Sequence, residues 1–379
     1  MSVRERIALL LSIKEEGKLV DFDHIFEKIA RDVKFVEKRD INIDEIKSNL
    51  ETLKKEELIE EIDGKYKPKE KIHAYVRKLI EEKEEVLNRS YILVWKAKHY
   101  YPVAGELMLP YLKERPVSVV KVFSGKNDPI KEIDPIFVRY ARYKPKPQHI
   151  IINDMRKLME YVHDHCIDFI PYVHRLNSNM PDFFILDLDA GKRILNEKRG
   201  FEFLKFIAKS LYDFLIEHEM LPMMKFSGSR GFQIWASFDN SKFANKSDLF
   251  AVYRMLAIKI QESFERHLQE NRTEIIKEFP EFKELKAFTT SQVAHKEERE
   301  DKILLDWSSM KPQGDVRAPF SMHHKTGLVS IPVDRKEIDS FNQLDAEPMK
   351  VIDNINSGKK FPVLTQSDPS YLQEKLKNS

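Results

Sequence analysis

The 379-residue chain is long enough for one large domain or two to three modest ones. An apolar fraction of 42% supports a sizeable core, and a net charge of only +2 neither demands nor forbids nucleic acid, since a local basic channel can hide in a balanced total. A single cysteine, Cys166, excludes an intramolecular disulfide and an all-cysteine zinc site, and without a secretory leader or a membrane-length apolar run a cytoplasmic protein with no membrane partner is expected.

Residues 1–68 read as a small winged helix-turn-helix-like domain. Ile7, Leu10 and Leu11, then Ile25, Phe26 and Ile29, then Ile43, Ile46, Leu50 and Leu53 recur at helical spacing. Two short extended runs around Asp63-Gly64 follow, and the helix from Ile43 to Lys55 would be the recognition helix. Its exposed residues mix Asp44, Glu45 and Glu51 with Lys47, Lys54 and Lys55, so duplex binding and a protein-interaction module both fit. A charged helical linker spans 69–90.

From residue 91 to 345 the pattern is that of an α+β catalytic domain. Strands are expected at Tyr91–Trp95, Val117–Phe123, His149–Ile152 and Phe183–Leu188, and long helices at Arg193–His218 and Lys246–His267. His163-Asp164-His165-Cys166 reads as polar residues on a helix rather than a zinc cluster. Residues 346–379 read as a polar tail.

The chemistry concentrates in three places. The apolar run Phe183–Leu186 ends in Asp187-Leu188-Asp189, and on a strand such acids share a face about 6–7 Å apart. Like charges so placed call for a compensating cation, although a turn or helix cap also uses acids. Asp306 closes a second apolar run, Ile303–Leu305, and three acids at strand ends favour a pair of divalent ions, Mg2+ or Mn2+. Between them Ser227-Gly228-Ser229-Arg230-Gly231 offers small residues and donors for anionic oxygens. Arg317, Ser321, His323 and Lys325, together with His324, suit a triphosphate. Lys96, Lys98, Lys121 and Lys126, interleaved with Trp95, Tyr100, Tyr101 and Phe123, suit a nucleic-acid backbone, although several of those rings also suit a core.

In this order the motifs resemble the archaeo-eukaryotic primase superfamily over roughly residues 91–340. Asp187-Leu188-Asp189 is similar to its first motif, Ser227 to Gln233 to its second, Leu305-Asp306 to its third, and Ser321 to Leu328 to the phosphate-contacting segment of primase small subunits. Tyr100 to Ala104, Met108 to Leu112, Arg115 to Lys121 and Met180 to Phe183 resemble the polymerase domain of ligase D, which acts in non-homologous end joining. The resemblance implies an RRM-like mixed sheet with helices, and metals held by Asp187, Asp189 and Asp306, with Asp306 nearest the primer hydroxyl. It implies triphosphate contacts from Ser227, Arg230, Ser321, His323 and Lys325. Ser229, Gln233 and Arg317 join them as candidate nucleotide ligands. The implied partners are a DNA template-primer, nucleoside triphosphates, and a separate ligase or end-binding protein. Gln233 stands where the superfamily's second motif usually has a histidine; it donates through an amide but brings no charge. A primase that starts strands, a non-catalytic DNA-binding accessory protein and a two-metal nuclease are the competing readings. No structural zinc is expected.

Overall fold

Local sequence starts the first helices. Ser2 and Glu5 form a reciprocal capping box on α1 (Val3–Ser12), and Asn42 accepts from the Glu45 backbone at 2.7 Å to begin α3 (Ile43–Lys55). Between them lie β1 (Val20–Asp21) and α2 (Phe22–Glu37); β2 (Ile59–Ile62) and β3 (Lys65–Pro68) follow, and the three strands pair in the order β1-β3-β2. Ile7, Leu10, Ile25, Ile46 and Leu50 are buried together with the Arg6–Asp32 ion pair at 2.8 Å. The computed structural model describes residues 1–14, 17–84, 89–123, 135–143, 148–178, 180–243, 248–291, 300–371 and 374.

Two helices come next, α4 (Lys71–Lys83) and α5 (Arg89–Leu112). The second corrects an expectation: Tyr91–Trp95 is helix, not strand. Ile92, Leu93, Val94 and Trp95 are all buried, and a short run with no polar face has no period to distinguish a strand from a buried helix. Then come β4 (Val117–Phe123), β5 (Ile136–Tyr140), β6 (Arg142–Tyr143), β7 (Gln148–His149), α6 (Met155–His163) and β8 (Cys166–Pro171). A three-stranded sheet runs β5-β4-β8, and β6 pairs with β7. The strand expected over His149–Ile152 ends at His149, although the Ile150 carbonyl still accepts from Val117 at 2.9 Å. His165 takes a left-handed φ of 65° in the turn between α6 and β8, so the His163–Cys166 group straddles a turn rather than lying on one helix.

The main sheet begins with β9 (Phe184–Ala190), followed by α7 (Lys192–Asn196), α8 (Gly200–Glu217), β10 (Met223–Phe226), β11 (Phe232–Phe238), α9 (Leu249–Glu270), α10 (Arg272–Glu278), β12 (Thr289–Ser291) and β13 (Ile303–Asp306). The single helix expected from Arg193 to His218 is split. A Cβ on Gly200 would fall 1.9 Å from the Ile194 carbonyl oxygen, so the chain folds tightly on itself there. The strand order is β10-β11-β9-β13-β12, antiparallel except that β12 runs parallel to β13. One face carries Phe184, Leu186 and Leu188 toward the helices, where Phe184 meets Tyr253 of α9 at 5.8 Å between ring centres. The other face carries the acids. After α11 (Pro348–Asn356), β14 (Gln366–Ser367) pairs in parallel with β11 and buries Ser367, tying that stretch to the sheet.

The chain divides into two compact units. One gathers Met1–Pro102, Val120–Arg139 and Met159–Ile167; the other gathers Val103–Val119, Tyr140–Leu158 and Asp168–Ser379 and holds every candidate acid and nucleotide ligand. No described helix is long and apolar enough to cross a membrane.

Candidate active site

Strand register brings the acids together. Asp187 of β9 is the cross-strand partner of Asp306 on β13 and, on its other side, of Gln233 on β11. Gln233 in turn pairs with Lys225 of β10. Cross-strand partners project to one face, so Lys225, Gln233, Asp187 and Asp306 form a row across four strands, with Asp189 two residues further along the same face.

Each acid leans on the protein. Asp187 Oδ2 accepts from Gln233 Nε2 at 2.9 Å, and Asp306 Oδ1 accepts from the Ser308 backbone at 2.6 Å. Burial, then the charge of Asp189, pushes the Asp187 carboxyl up to about 7. Burial also raises Asp189, with Arg230 pulling it down and Asp306 pushing it further up. Three oxygen-donor carboxylates crowded until two resist ionisation form a donor set that fits a hard divalent cation. Among the described residues, no three His, Cys, Asp or Glu side chains converge as they would around an ion. Gly231 makes room for this arrangement, since a Cβ there would sit 2.5 Å from the Leu188 carbonyl oxygen and 3.0 Å from Asp189 Oδ1.

The two candidate phosphate segments pack on each other. Gly228 takes φ +85°, and a Cβ there would lie 3.0 Å from His323 Cβ. Thr326 Oγ1 donates to the Gly228 carbonyl at 2.5 Å. Ser227 turns its hydroxyl inward, accepting from Gly231 N at 3.2 Å, whereas Ser229 is half-buried and Arg230 is exposed.

Beneath them lies a residue that sequence reasoning missed. Asp168 of β8, fully buried, accepts from Arg317 Nε at 2.9 Å and Nη2 at 2.8 Å, from His324 Nδ1 at 2.7 Å, and from the Ser321 hydroxyl at 3.3 Å. Burial alone would raise its carboxyl, but the Arg317 charge and the His324 and Arg317 hydrogen bonds win, holding it well below the usual range. Arg317 and Ser321 are therefore turned to the interior. Arg317 also donates to the Ser227 carbonyl at 3.2 Å, and the Ser321 hydroxyl accepts from Phe169 N at 2.7 Å. His323 faces outward more; its Nδ1 accepts from Thr326 N at 3.2 Å, and burial, then Arg317, lowers it to about 3, which leaves the ring neutral. Lys325 is exposed. Lys225, also missed, is fully buried; its amine donates to the Ser330 hydroxyl and stands 5.2 Å from the Trp235 ring centre. Burial, then the Arg317 charge, drives its ammonium toward neutrality.

A family model described as the LigD primase-polymerase domain matches residues 96–360, a span containing this whole constellation. The chain belongs to that family. Among solved structures, the polymerase domain from Mycobacterium tuberculosis ligase D in complex with DNA has a similar fold, with a TM-score of 0.54 and 17% identity over 70% of this chain and 88% of that one. No curated protein matches. The LigD-type match leaves out the N-terminal elements α1 to α4. Of the lysines expected on nucleic acid, Lys96 is buried and pairs with Glu84 at 3.0 Å, Lys98 donates to the Ile13 carbonyl at 2.5 Å, and Lys121 pairs with Asp164. Lys126 lies outside the described residues.

Proposed function

We propose that the protein is a template-dependent nucleotidyltransferase that extends primers on DNA, filling gaps or extending ends in DNA repair. The observation that carries this reading is the cross-strand register of Asp187 and Asp306, with Asp189 on the same face, inside a LigD primase-polymerase domain. The reaction joins the primer 3′-oxygen to the α-phosphorus of a nucleoside triphosphate and releases pyrophosphate.

Asp187, Asp189 and Asp306 are the residues that would hold Mg2+ or Mn2+, which when bound activates the primer hydroxyl and neutralises the phosphates. The chain's own contribution is positioning and charge. Arg230, exposed on the loop beside Asp189, and Lys325, exposed on the facing segment, bind triphosphate oxygens, and neutral His323 adds a ring edge. The Ser227–Gly231 loop is closed on itself, Ser227 N donating to the Gly231 carbonyl at 2.9 Å and Gly231 N to the Ser227 hydroxyl at 3.2 Å, which fixes where Arg230 starts. Arg317 and Ser321 act from behind, through Asp168, by fixing the segment that carries His323 and Lys325. A separate ligase or an end-binding protein is the expected partner, with sealing of the remaining nick left to the ligase.

The N-terminal elements are read as a winged helix: the order α1-β1-α2-α3-β2-β3 and the β1-β3-β2 sheet support it, with α3 as the helix that meets a partner.

Incorporation of a labelled nucleotide on gapped and 3′-recessed DNA with Mg2+ or Mn2+ tests the proposal. The expected result is metal-dependent extension that Asp187→Ala abolishes. A folded protein that incorporates neither ribo- nor deoxyribonucleotides on any template would overturn it, and shortening of the strand without nucleotides would mark a nuclease instead.

A further inference from the structure

Gln233 occupies the middle of the row Lys225–Gln233–Asp187–Asp306, and its amide orientation is decided by its neighbours. The Trp235 indole Nε1 is a donor only, and it lies 3.1 Å from Gln233 Oε1. The oxygen must therefore face the indole, which turns Nε2 toward Asp187 Oδ2 at 2.9 Å. With 4% of its surface exposed, and both its oxygen and its nitrogen engaged, Gln233 is pinned at its carbonyl end by a buried tryptophan and holds the carboxylate at its nitrogen end.

We propose that Gln233 is a positioning residue for metal binding: it fixes the rotation of Asp187 for the cation and does not contact the incoming triphosphate. The inference rests on the reading of Asp187, Asp189 and Asp306 as the metal-holding acids. A neutral amide suits the task. It restrains one carboxylate oxygen through a hydrogen bond while leaving the negative charge for the cation. A cationic side chain at the same register would pair with Asp187 and compete for that charge. Lys225, the basic residue of the row, donates to Ser330 and lies against the Trp235 face, and the hydrogen bond that Asp187 accepts within the row comes from the Gln233 amide.

The test is Mn2+ binding by the full-length, nucleotide-free protein, read as the loss of free-ion signal in electron paramagnetic resonance. Gln233→Met keeps the shape and removes both amide groups; its Mn2+ affinity should fall about 10–100-fold. The KM for nucleoside triphosphate at saturating Mn2+ should stay at the wild-type value. Unchanged Mn2+ affinity with a raised triphosphate KM would overturn the inference and make Gln233 a phosphate ligand. Equal Mn2+ binding by wild type and Asp187→Asn, or none by either, would instead remove the metal reading itself. Should Gln233→Met fold poorly, Gln233→Asn, which draws the amide back from Asp187 by one methylene, carries the same comparison.

Discussion

Asp168 and Asp187 are both strand acids lodged among protein atoms, and their surroundings push them in opposite directions. Asp168, itself fully buried, is met by the two-pronged, half-buried guanidinium of Arg317 and is held ionised. Asp187 is pushed up to about 7 by burial and then by the charge of Asp189, against the hydrogen bond from the Gln233 amide and the charge of Lys225. A carboxylate that the chain neutralises itself is part of the framework, whereas one that the chain surrounds with like charge calls for a cation from outside. The first anchors the segment that carries His323 and Lys325; the second is the acid proposed to hold a metal.

The difference can be broken from either side. The largest effect is expected from Asp306→Ala, which removes one of the acids proposed to hold the metal: extension should fall by about 10³-fold, equivalent to ~4 kcal/mol of transition-state stabilisation, with the melting temperature unreduced. Asp168→Asn should do the reverse. It leaves the Arg317 guanidinium, 13% exposed, without its partner charge, for a loss of about 3 kcal/mol in denaturant unfolding at pH 7. Because the folded-state carboxyl of Asp168 lies below its unfolded value, its contribution is present above pH ~4 and is lost as the pH falls below that. The gap between Asp168→Asn and wild type should therefore narrow in acid. Gly231→Ala comes next: the new Cβ meets the Leu188 carbonyl and Asp189, and about 1–3 kcal/mol of stability should go together with part of the activity. Arg230→Ala is the smallest, raising the triphosphate KM about tenfold while moving stability by no more than ~0.5 kcal/mol.

The acid row was legible because strands have a period of two. Asp187 and Asp189 had to share a face, and Asp306 closed a second apolar run. What lay across the sheet was not legible. Nothing local in Gln233 says that Asp187 is its partner, and the indole that orients it is informative only in the folded hairpin of β10 and β11. Asp168 was invisible for a related reason: a lone acid in the run Cys166–Pro171 fits a turn or a pair equally well until Arg317, 149 residues away in sequence, is placed against it. Arg317 and Ser321 were found as a cluster, but composition alone cannot say which members face a ligand and which brace the others. In the fold, α3 followed its helical spacing residue for residue, whereas Tyr91–Trp95, apolar throughout, gave no period and folded as helix.

The claim that Asp187 waits for an outside cation is tested most directly by melting wild type and Asp187→Asn between pH 5 and pH 8, in chelator and in Mn2+. The folded-state value of Asp187 lies above its unfolded one, so the folded protein holds the extra proton between pH ~4 and about 7, and the stability of the metal-free protein is drawn down as pH rises through that window. The account predicts that in chelator Asp187→Asn melts higher than wild type at pH 8, that the gap closes toward pH 5, and that Mn2+ raises only the wild type. Equal melting of the two proteins at pH 8 in chelator, with Mn2+ shifting both alike, would contradict it.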